Sequence, residues 1–264
     1  MDTPRPEVDS QILDEISGLM EHGRPDELTL RRLDRRAEQL MRTDRPDLGW
    51  VARAAVAAFA WDVGAVEDIS RRARQAFGRN AVQIANLSVS HKHVNLMDQA
   101  VEYAREATEI APGDATIMDH LLQGLALSGR WSEALAISRE FIQRVGPTHA
   151  GPVATEIEAA FPMRLDWLAQ AGVSEEQLQF ELREAWAAMR EAQVRSAGEQ
   201  SWFEEDWEGG SGTFCVRIQF PGDIDLEMRL GSLLGPRLAQ LPHWDPTRLS
   251  VDFAYHREDA DATA

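Results

Sequence analysis

The chain repeats itself at a spacing of 34 residues, and this recurrence limits its fold more than any other feature. Ala81 and Ala115 each open a run of apolar residues at helical spacing, 34 positions apart. Ala100 and Ala134 stand at the same separation, as do Tyr103 and Ile137, Ala107 and Phe141, and Asn95 and Gly129. Self-similarity at a fixed period marks a solenoid, in which each unit buries its apolar face only against its neighbours. The unit here is a pair of helices. Within residues 99–120, QAVEYAREATEIAPGDATIMDH, two helix-like runs meet at Ala111-Pro112-Gly113-Asp114. Pro112 has no N–H to donate and disfavours a helical residue before it; Gly113 tolerates a turn, and Asp114 can cap the next helix. The tetrapeptide is therefore a boundary between units.

The same design is legible upstream. Val8, Ile12, Ile16 and Met20 recur at helical spacing until Gly23-Arg24-Pro25-Asp26, and Leu28, Leu30, Leu33, Ala37, Leu40 and Met41 form a second stripe. Trp50, Ala54, Ala57 and Phe59 predict one helix of the next pair. Gly64 is expected to turn the chain, and Ile69, Ala73, Ala76 and Phe77 predict the other helix.

These residues carry a resemblance. Residues 47–147, and 8–46 more loosely, resemble the tetratricopeptide repeat family. The matching residues are Ala100, Ala107 and Pro112 in one repeat and Leu121, Gly129, Trp131 and Ala134 in the next. Ser88 and Leu122 replace the glycine that the family often carries in its first helix, and Val66 replaces the small residue at the Ala100 position. The resemblance implies a concave surface lined by the first helix of each pair, often holding an extended peptide or a helix. Its lining would be Val82, Ala85, Val89 and Lys92 in one repeat and Thr116, Asp119, Gln123 and Ala126 in the next. Chaperone-binding members hold a peptide carboxylate with Lys and Asn at set positions. Here those positions carry Ala85, Val89 and Asp119, so that clamp is missing.

From Gly146 to Ser196 the period breaks. Pro152 and Pro162 are expected to bracket a short segment, and a helix carrying Trp167 and Leu168 should close at Gly172. Ser174-Glu175-Glu176-Gln177 has the form of a capping box opening a long helix with Leu178, Leu182, Trp186 and Met189 on one face. This region reads as the terminal cap that a solenoid needs.

After Ser196 the pattern changes to strands. SWFEEDW (201–207) suits a short strand and residues 208–212 a hairpin loop. In TFCVRIQF, Phe214, Val216, Ile218 and Phe220 alternate with Cys215, Arg217 and Gln219, which would place Cys215 on the polar face. A Leu-rich helix, interrupted near Gly235-Pro236, should follow, and then a strand with Leu249, Val251, Phe253 and Tyr255. The expected fold is thus mainly α: a tetratricopeptide-like solenoid over 8–196, a small α+β module of ββαβ order over 201–257, and a disordered tail over 258–264.

Composition narrows the function. The net charge is −17, with 27 Lys and Arg against 44 Asp and Glu. Nucleic-acid binding needs clustered cations on the protein, so this balance argues against it and favours a basic or amphipathic protein partner. Residues 201–264 carry 5 Arg against 12 Asp and Glu. Lys92 is the sole lysine, a usage that fits a GC-rich bacterial genome. A single cysteine, Cys215, excludes an internal disulfide and a cysteine-based zinc site. There is no run of 18 apolar residues, and MDTPRPEVDS lacks the basic-then-apolar order of a secretory signal, so a cytoplasmic location is expected.

No residues name a reaction. His91 and His93 are two apart on a helix, with His91 on the core side and His93 on the other, and no further ligands surround them in sequence. Glu204, Glu205, Asp206 and Glu208 read as a solvated cluster. Gly209-Gly210-Ser211-Gly212 lacks the Lys-Ser/Thr pair of a phosphate loop and precedes a strand. Cys215 has no identifiable base. The expectation is a non-enzymatic adaptor without cofactor or metal, binding a protein segment through Val82, Ala85, Val89, Lys92, Thr116, Asp119 and Gln123. The C-terminal module is a further expected contact, through which two copies could pair as a homodimer. The alternatives are an acidic inhibitor or immunity-type protein that neutralises a basic partner and an enzyme with its site, at Cys215 or Glu205, in the C-terminal module.

Overall fold

Three positions 34 residues apart, Trp61, Asn95 and Gly129, adopt left-handed backbone, with φ of 56°, 57° and 72°. Each sits in the turn inside a helix pair. At Gly129 the Gly129 N–H reaches the Ala126 carbonyl and the Arg130 N–H reaches that of Leu125, at 3.0 and 2.9 Å. Trp61 and Asp62 do the same with Ala58 and Ala57. These bonds satisfy carbonyls that a helix end leaves without partners. The turn before the second helix therefore lies at Trp61-Asp62 and not at the expected Gly64, which is inside that helix. Asp62 fixes the start by accepting from the Ala65 N–H.

The computed structural model describes residues 12–16, 18–19, 25–196, 198–205 and 212–256. After a helical segment at 12–16, the elements are α1 (Glu27–Leu40), α2 (Pro46–Phe59), α3 (Val63–Phe77), α4 (Ala81–His93), α5 (Met97–Ile110), α6 (Ala115–Leu127), α7 (Trp131–Val145), α8 (Pro152–Gln170), α9 (Glu175–Ala192), β1 (Gly198–Glu205), β2 (Gly212–Pro221), α10 (Ile224–Leu238) and β3 (Leu249–His256). The second helices α3, α5 and α7 begin at Val63, Met97 and Trp131, again 34 residues apart. The protein is mainly α, with consecutive helices followed by the ββαβ segment. Val8, Met20, residues 206–211 and the 258–264 tail lie outside the described residues.

Contacts group the described chain into two compact units. The first holds residues up to Val94 with Gln99–Pro112; the second holds Asn95–Asp98 with the residues from Gly113 onward. In the first unit, α2 packs on α1 and α3 and also reaches α4, the next-but-one contact of stacked helix pairs. Its core joins Ile12 and Ile16 to Leu33, Ala37, Leu40, Leu48, Ala52, Val56 and Phe59. Complete burial of a leucine such as Leu33 contributes about 2 kcal/mol. Leu28, expected on that stripe, is 79% exposed, because it lies in the first turn beside the face of Leu33, Ala37 and Leu40. Asp26 caps this helix by accepting from the Thr29 N–H at 2.8 Å.

In the second unit, α6, α7 and α8 stack in the same fashion. Pro162 and Pro236 stand inside α8 and α10 without ending either helix. Each removes one hydrogen bond, and buried Phe161 and Leu168, or Leu234 and Leu238, hold the helix on both sides. The capping box at Ser174 and Gln177 opens α9 as expected. Helix α9 lies across turns: the Trp186 indole donates to the Leu127 carbonyl at 2.8 Å, and Arg190 donates to the Asn95 carbonyl at 2.8 Å. The sheet has order β1-β2-β3. β1 and β2 are antiparallel, with Gly198 opposite Gln219 and Glu205 opposite Gly212. β2 and β3 are parallel, with Phe214 opposite Leu249 and Pro221 opposite His256. Parallel neighbours need a crossover, and α10 supplies it. Phe214, Val216, Ile218 and Phe220 are all buried, and Phe214 meets Trp131 edge-on at 5.5 Å.

Candidate functional site

The face of the first unit formed by α3 and α5, with the end of α4 between them, holds a cleft of about 580 Å³. Helical spacing builds both walls. Glu67, Arg71 and Arg74 follow one another at four and three residues along α3, and Glu102, Glu106 and Glu109 do so along α5. Tyr103 and His91 complete the inner part. The volume is within the ordinary range of small-ligand sites, about 300–1,000 Å³.

His91 is 1% exposed, yet it lines this cleft. Its Nδ1 lies 2.9 Å from the Leu87 carbonyl. A carbonyl can only accept, so Nδ1 carries the proton and Nε2 keeps its lone pair. Burial holds the His91 pKa below the usual histidine range, against the Leu87 bond and the carboxylates of Glu67 and Glu102, which pull it up. The ring is thus neutral at pH 7. It stacks on Tyr103 with centroids 4.8 Å apart. Burial raises the Tyr103 pKa, so its hydroxyl stays protonated.

Glu67, Glu102, Glu106 and Glu109 line the cleft with Arg71, Arg74 and Arg105, so its acids exceed its bases by one. Arg74 bridges to Glu106 at 2.7 Å, and Arg71 and Arg72 both bind Asp68. Among the described residues, Glu67, Glu102 and Glu109 form no ion pair. They are exposed at the mouth. The result is a cleft with a small acidic excess and a neutral imidazole in its lining. It can hold a hydrogen-bond donor of positive charge.

The residues expected to line a first-helix groove are divided between the units. In the first, Val82 is 55% exposed, Ala85 is buried, and Val89 and Lys92 are half-buried. In the second, Thr116 is exposed, and Asp119 and Gln123 are half-buried. Lys92, Asp119 and Gln123 each already have an interaction partner. The Asp119 carboxylate also lies tight against Gly151, where a Cβ would come within 3.0 Å of its Oδ1.

Other expectations change with burial. His93 is buried at 8% exposure, like His91, and packs edge-on against Phe59 at 4.9 Å. Among the described residues no three His, Cys, Asp or Glu side chains are placed to hold a metal. Cys215 is buried rather than on a polar face, because β2 is the central strand; burial, with Glu204 and Asp252 nearby, pushes its thiol up to about 11. Glu204 is exposed; Asp206, Glu208, the Gly209–Ser211 loop and the Glu205 side chain lie outside the described residues.

Sequence reasoning passed over Glu67, Glu102, Glu109 and Tyr103 as cleft residues. The available signal was the matched charged stripe on two second helices of successive pairs. It also passed over two buried acids of the second unit. Burial raises the Glu181 carboxyl to about 8. Burial likewise raises Glu199 to about 7, against the pull of Arg164 at 3.4 Å. Arg164 in turn lies over the Phe161 and Trp131 rings at 5.0 and 5.6 Å.

Comparison with protein-family models, with curated proteins and with solved structures returned no match for this chain.

Proposed function

We propose that this chain is a non-enzymatic binding protein of tetratricopeptide-like construction that recognises a basic segment of a partner protein, with the cleft of the first unit as its contact site. The unpaired carboxylates of Glu67, Glu102 and Glu109 around that cleft carry the reading. Complementary charge steers a basic partner to such a rim and selects against acidic ones. The 34-residue recurrence of Trp61, Asn95 and Gly129 supports the repeat assignment. The thiol of Cys215, held near 11 by burial, is a poor nucleophile, which favours binding over covalent catalysis.

The net charge of −17 also suits an acidic inhibitor that blocks a basic partner over a broad surface. The two readings separate in one titration of the full chain with short basic and acidic peptides at low and high salt. Cleft recognition predicts binding of a basic peptide that is lost in the double variant Glu67→Lys/Glu102→Lys, with a moderate salt response. A broad acidic surface predicts a steep salt response and little effect of that variant. Equal binding of acidic and basic peptides rejects both.

A further inference from the structure

We propose that the outer face of α10 docks a second copy of this chain, by an antiparallel, two-fold pairing of the two α10 helices. The proposal is independent of the cleft in the first unit. α10 turns Leu230, Leu234 and Leu238 inward, where they are buried. On its solvent side stand Ile224, Met228, Gly231 and Gly235, spaced four, three and four residues apart, which sets them in one stripe. Ile224 is 51% exposed and Met228 66%, two large apolar side chains left in water one turn apart. A Cβ added at Gly231 or Gly235 would meet no atom within 4 Å. Glycine is among the poorest helix formers, so two of them inside α10 weaken it. Among the described residues nothing packs closely enough to require them, and alanine would fit at both. A second backbone approaching this stripe does require them. Ser232 adds no polar demand to the face, since its hydroxyl donates to the Met228 carbonyl at 2.8 Å.

Charge selects both the occupant and its direction. The chain carries −17, so two copies repel each other over most of their surface. α10 itself holds two acids, Asp225 and Glu227, and two bases, Arg229 and Arg237. Copies can meet on this neutral helix without net repulsion, and it exerts no pull on a basic segment. Glu227 is engaged with the sheet, where its Oε2 accepts from the Tyr255 N–H at 3.2 Å, and Arg237 is bound to Glu184 and Glu191. Asp225 and Arg229 remain, both exposed beside the stripe. Among the described residues neither forms an ion pair. A parallel pairing would set each against its own counterpart, like charge against like. An antiparallel pairing centred between residues 227 and 228 sets Asp225 of each copy beside Arg229 of the other, twice over. The same register lays Ile224 of each copy over Gly231 of the other, a large side chain against a position with no Cβ, and brings the two Met228 side chains together at the axis. Gly235 continues the open strip toward the start of the second helix.

Sedimentation velocity of the full chain over a range of concentrations tests the pairing. One pair of helices makes a small interface, so association should be weak and appear as a rise in sedimentation coefficient at high micromolar chain. Asp225→Arg and Arg229→Asp should each weaken dimerisation about tenfold, because each sets two like-charged pairs at the seam. An equimolar mixture of these two variants should associate as well as the parent, since each then supplies the charge that the other lacks. An ion pair within one helix could not produce that recovery. Both residues are exposed, so the far-ultraviolet circular dichroism of each variant should match the parent. Gly231→Gln puts a better helix former into open space. It should raise the urea midpoint of the dilute monomer while abolishing the dimer. A parent that stays monomeric at every concentration would overturn the proposal. So would a dimer that persists in either charge variant or in Gly231→Gln, or a mixture of the charge variants that stays monomeric.

Discussion

Glu181 should make the protein less stable as pH rises from 5 to 8. The residue is 3% exposed, on the side of α9 that carries Glu184, Ala188 and Glu191, and its Oε2 has no hydrogen-bond partner. Glu184 and Glu191 on that side are both bound by Arg237 of α10, at 3.3 and 2.7 Å. Burial alone lifts the Glu181 carboxyl from 4.5 to about 8. The folded state therefore holds a proton that the unfolded chain has lost. Its contribution is complete below the unfolded value, near pH 4.5, and disappears as pH climbs through about 8. Between these limits the slope is about −1.4 kcal/mol per pH unit. The full window bounds the effect near ~5 kcal/mol, and partial hydration of the ionised form reduces the expected loss to about 2–3 kcal/mol. Glu181→Gln removes the titration while keeping the shape. The amide lacks a partner for its own N–H groups, so at pH 5 the variant should be somewhat less stable than the parent, by about 1 kcal/mol. At pH 8 the order should reverse. Urea unfolding at a series of pH values, followed by tryptophan fluorescence, gives both slopes. Glu199, at about 7, adds a second proton in both proteins below that pH and cancels in the comparison. Parallel curves for parent and variant would show that the Glu181 carboxylate is ionised in the folded protein at pH 5 and would refute the argument.

Two further substitutions test the backbone. A Cβ at Gly49 in α2 would lie 2.6 Å from Met41 Cγ and 2.7 Å from the Ala37 carbonyl oxygen and the Met41 nitrogen. Two of these three are backbone atoms of the α1 end, so Gly49→Ala should cost about 2–3 kcal/mol in a urea titration despite its better helix propensity; an unchanged midpoint would mean that α1 and α2 part readily. Gln193 ends α9 with φ of 57° and an exposed side chain, so Gln193→Gly should stabilise by about 0.5–1 kcal/mol, and a loss would show that the glutamine side chain contributes more than its strain.

The repeat and the ββαβ order were legible because both rest on periodicity. Helical stripes and the alternation of Phe214, Val216, Ile218 and Phe220 follow directly from side-chain geometry. The ends of elements were less legible. Pro162 and Pro236 read as breaks, since local rules say that proline stops a helix, while the packing that carries α8 and α10 through them involves residues distant in sequence. Burial was misread for Cys215 for a related reason. Alternation assumes one wet face, and a central strand crossed over by α10 has less of one. The cleft was invisible because its walls are surface charges, and a charged stripe on one helix has the same sequence whether it faces solvent or another stripe. What makes Glu67 and Glu102 distinctive is which acids the arginines leave unpaired, and that is decided by three-dimensional neighbours.

The turn positions show why the period persists in place rather than in identity. A left-handed residue is required at 61, 95 and 129, and glycine would satisfy all three without strain. Only Gly129 has no choice. A Cβ there would lie 3.0–3.3 Å from Leu182 and Leu178, which pack directly over the turn. Asn95 meets the conformational cost with its side chain, whose Nδ2 donates to the Val194 carbonyl at 2.9 Å, while its main-chain carbonyl accepts from Arg190. Trp61 meets it by burial, with the indole 5.8 Å from the His93 ring and 9% exposed. A strain of about 1–2 kcal/mol for an L-residue in this region is thus offset by a side-chain hydrogen bond in one turn and by aromatic packing in another. One backbone requirement met in three chemically unrelated ways leaves little residue identity at the turns, so the recurrence shows in their spacing and in the helices that they join.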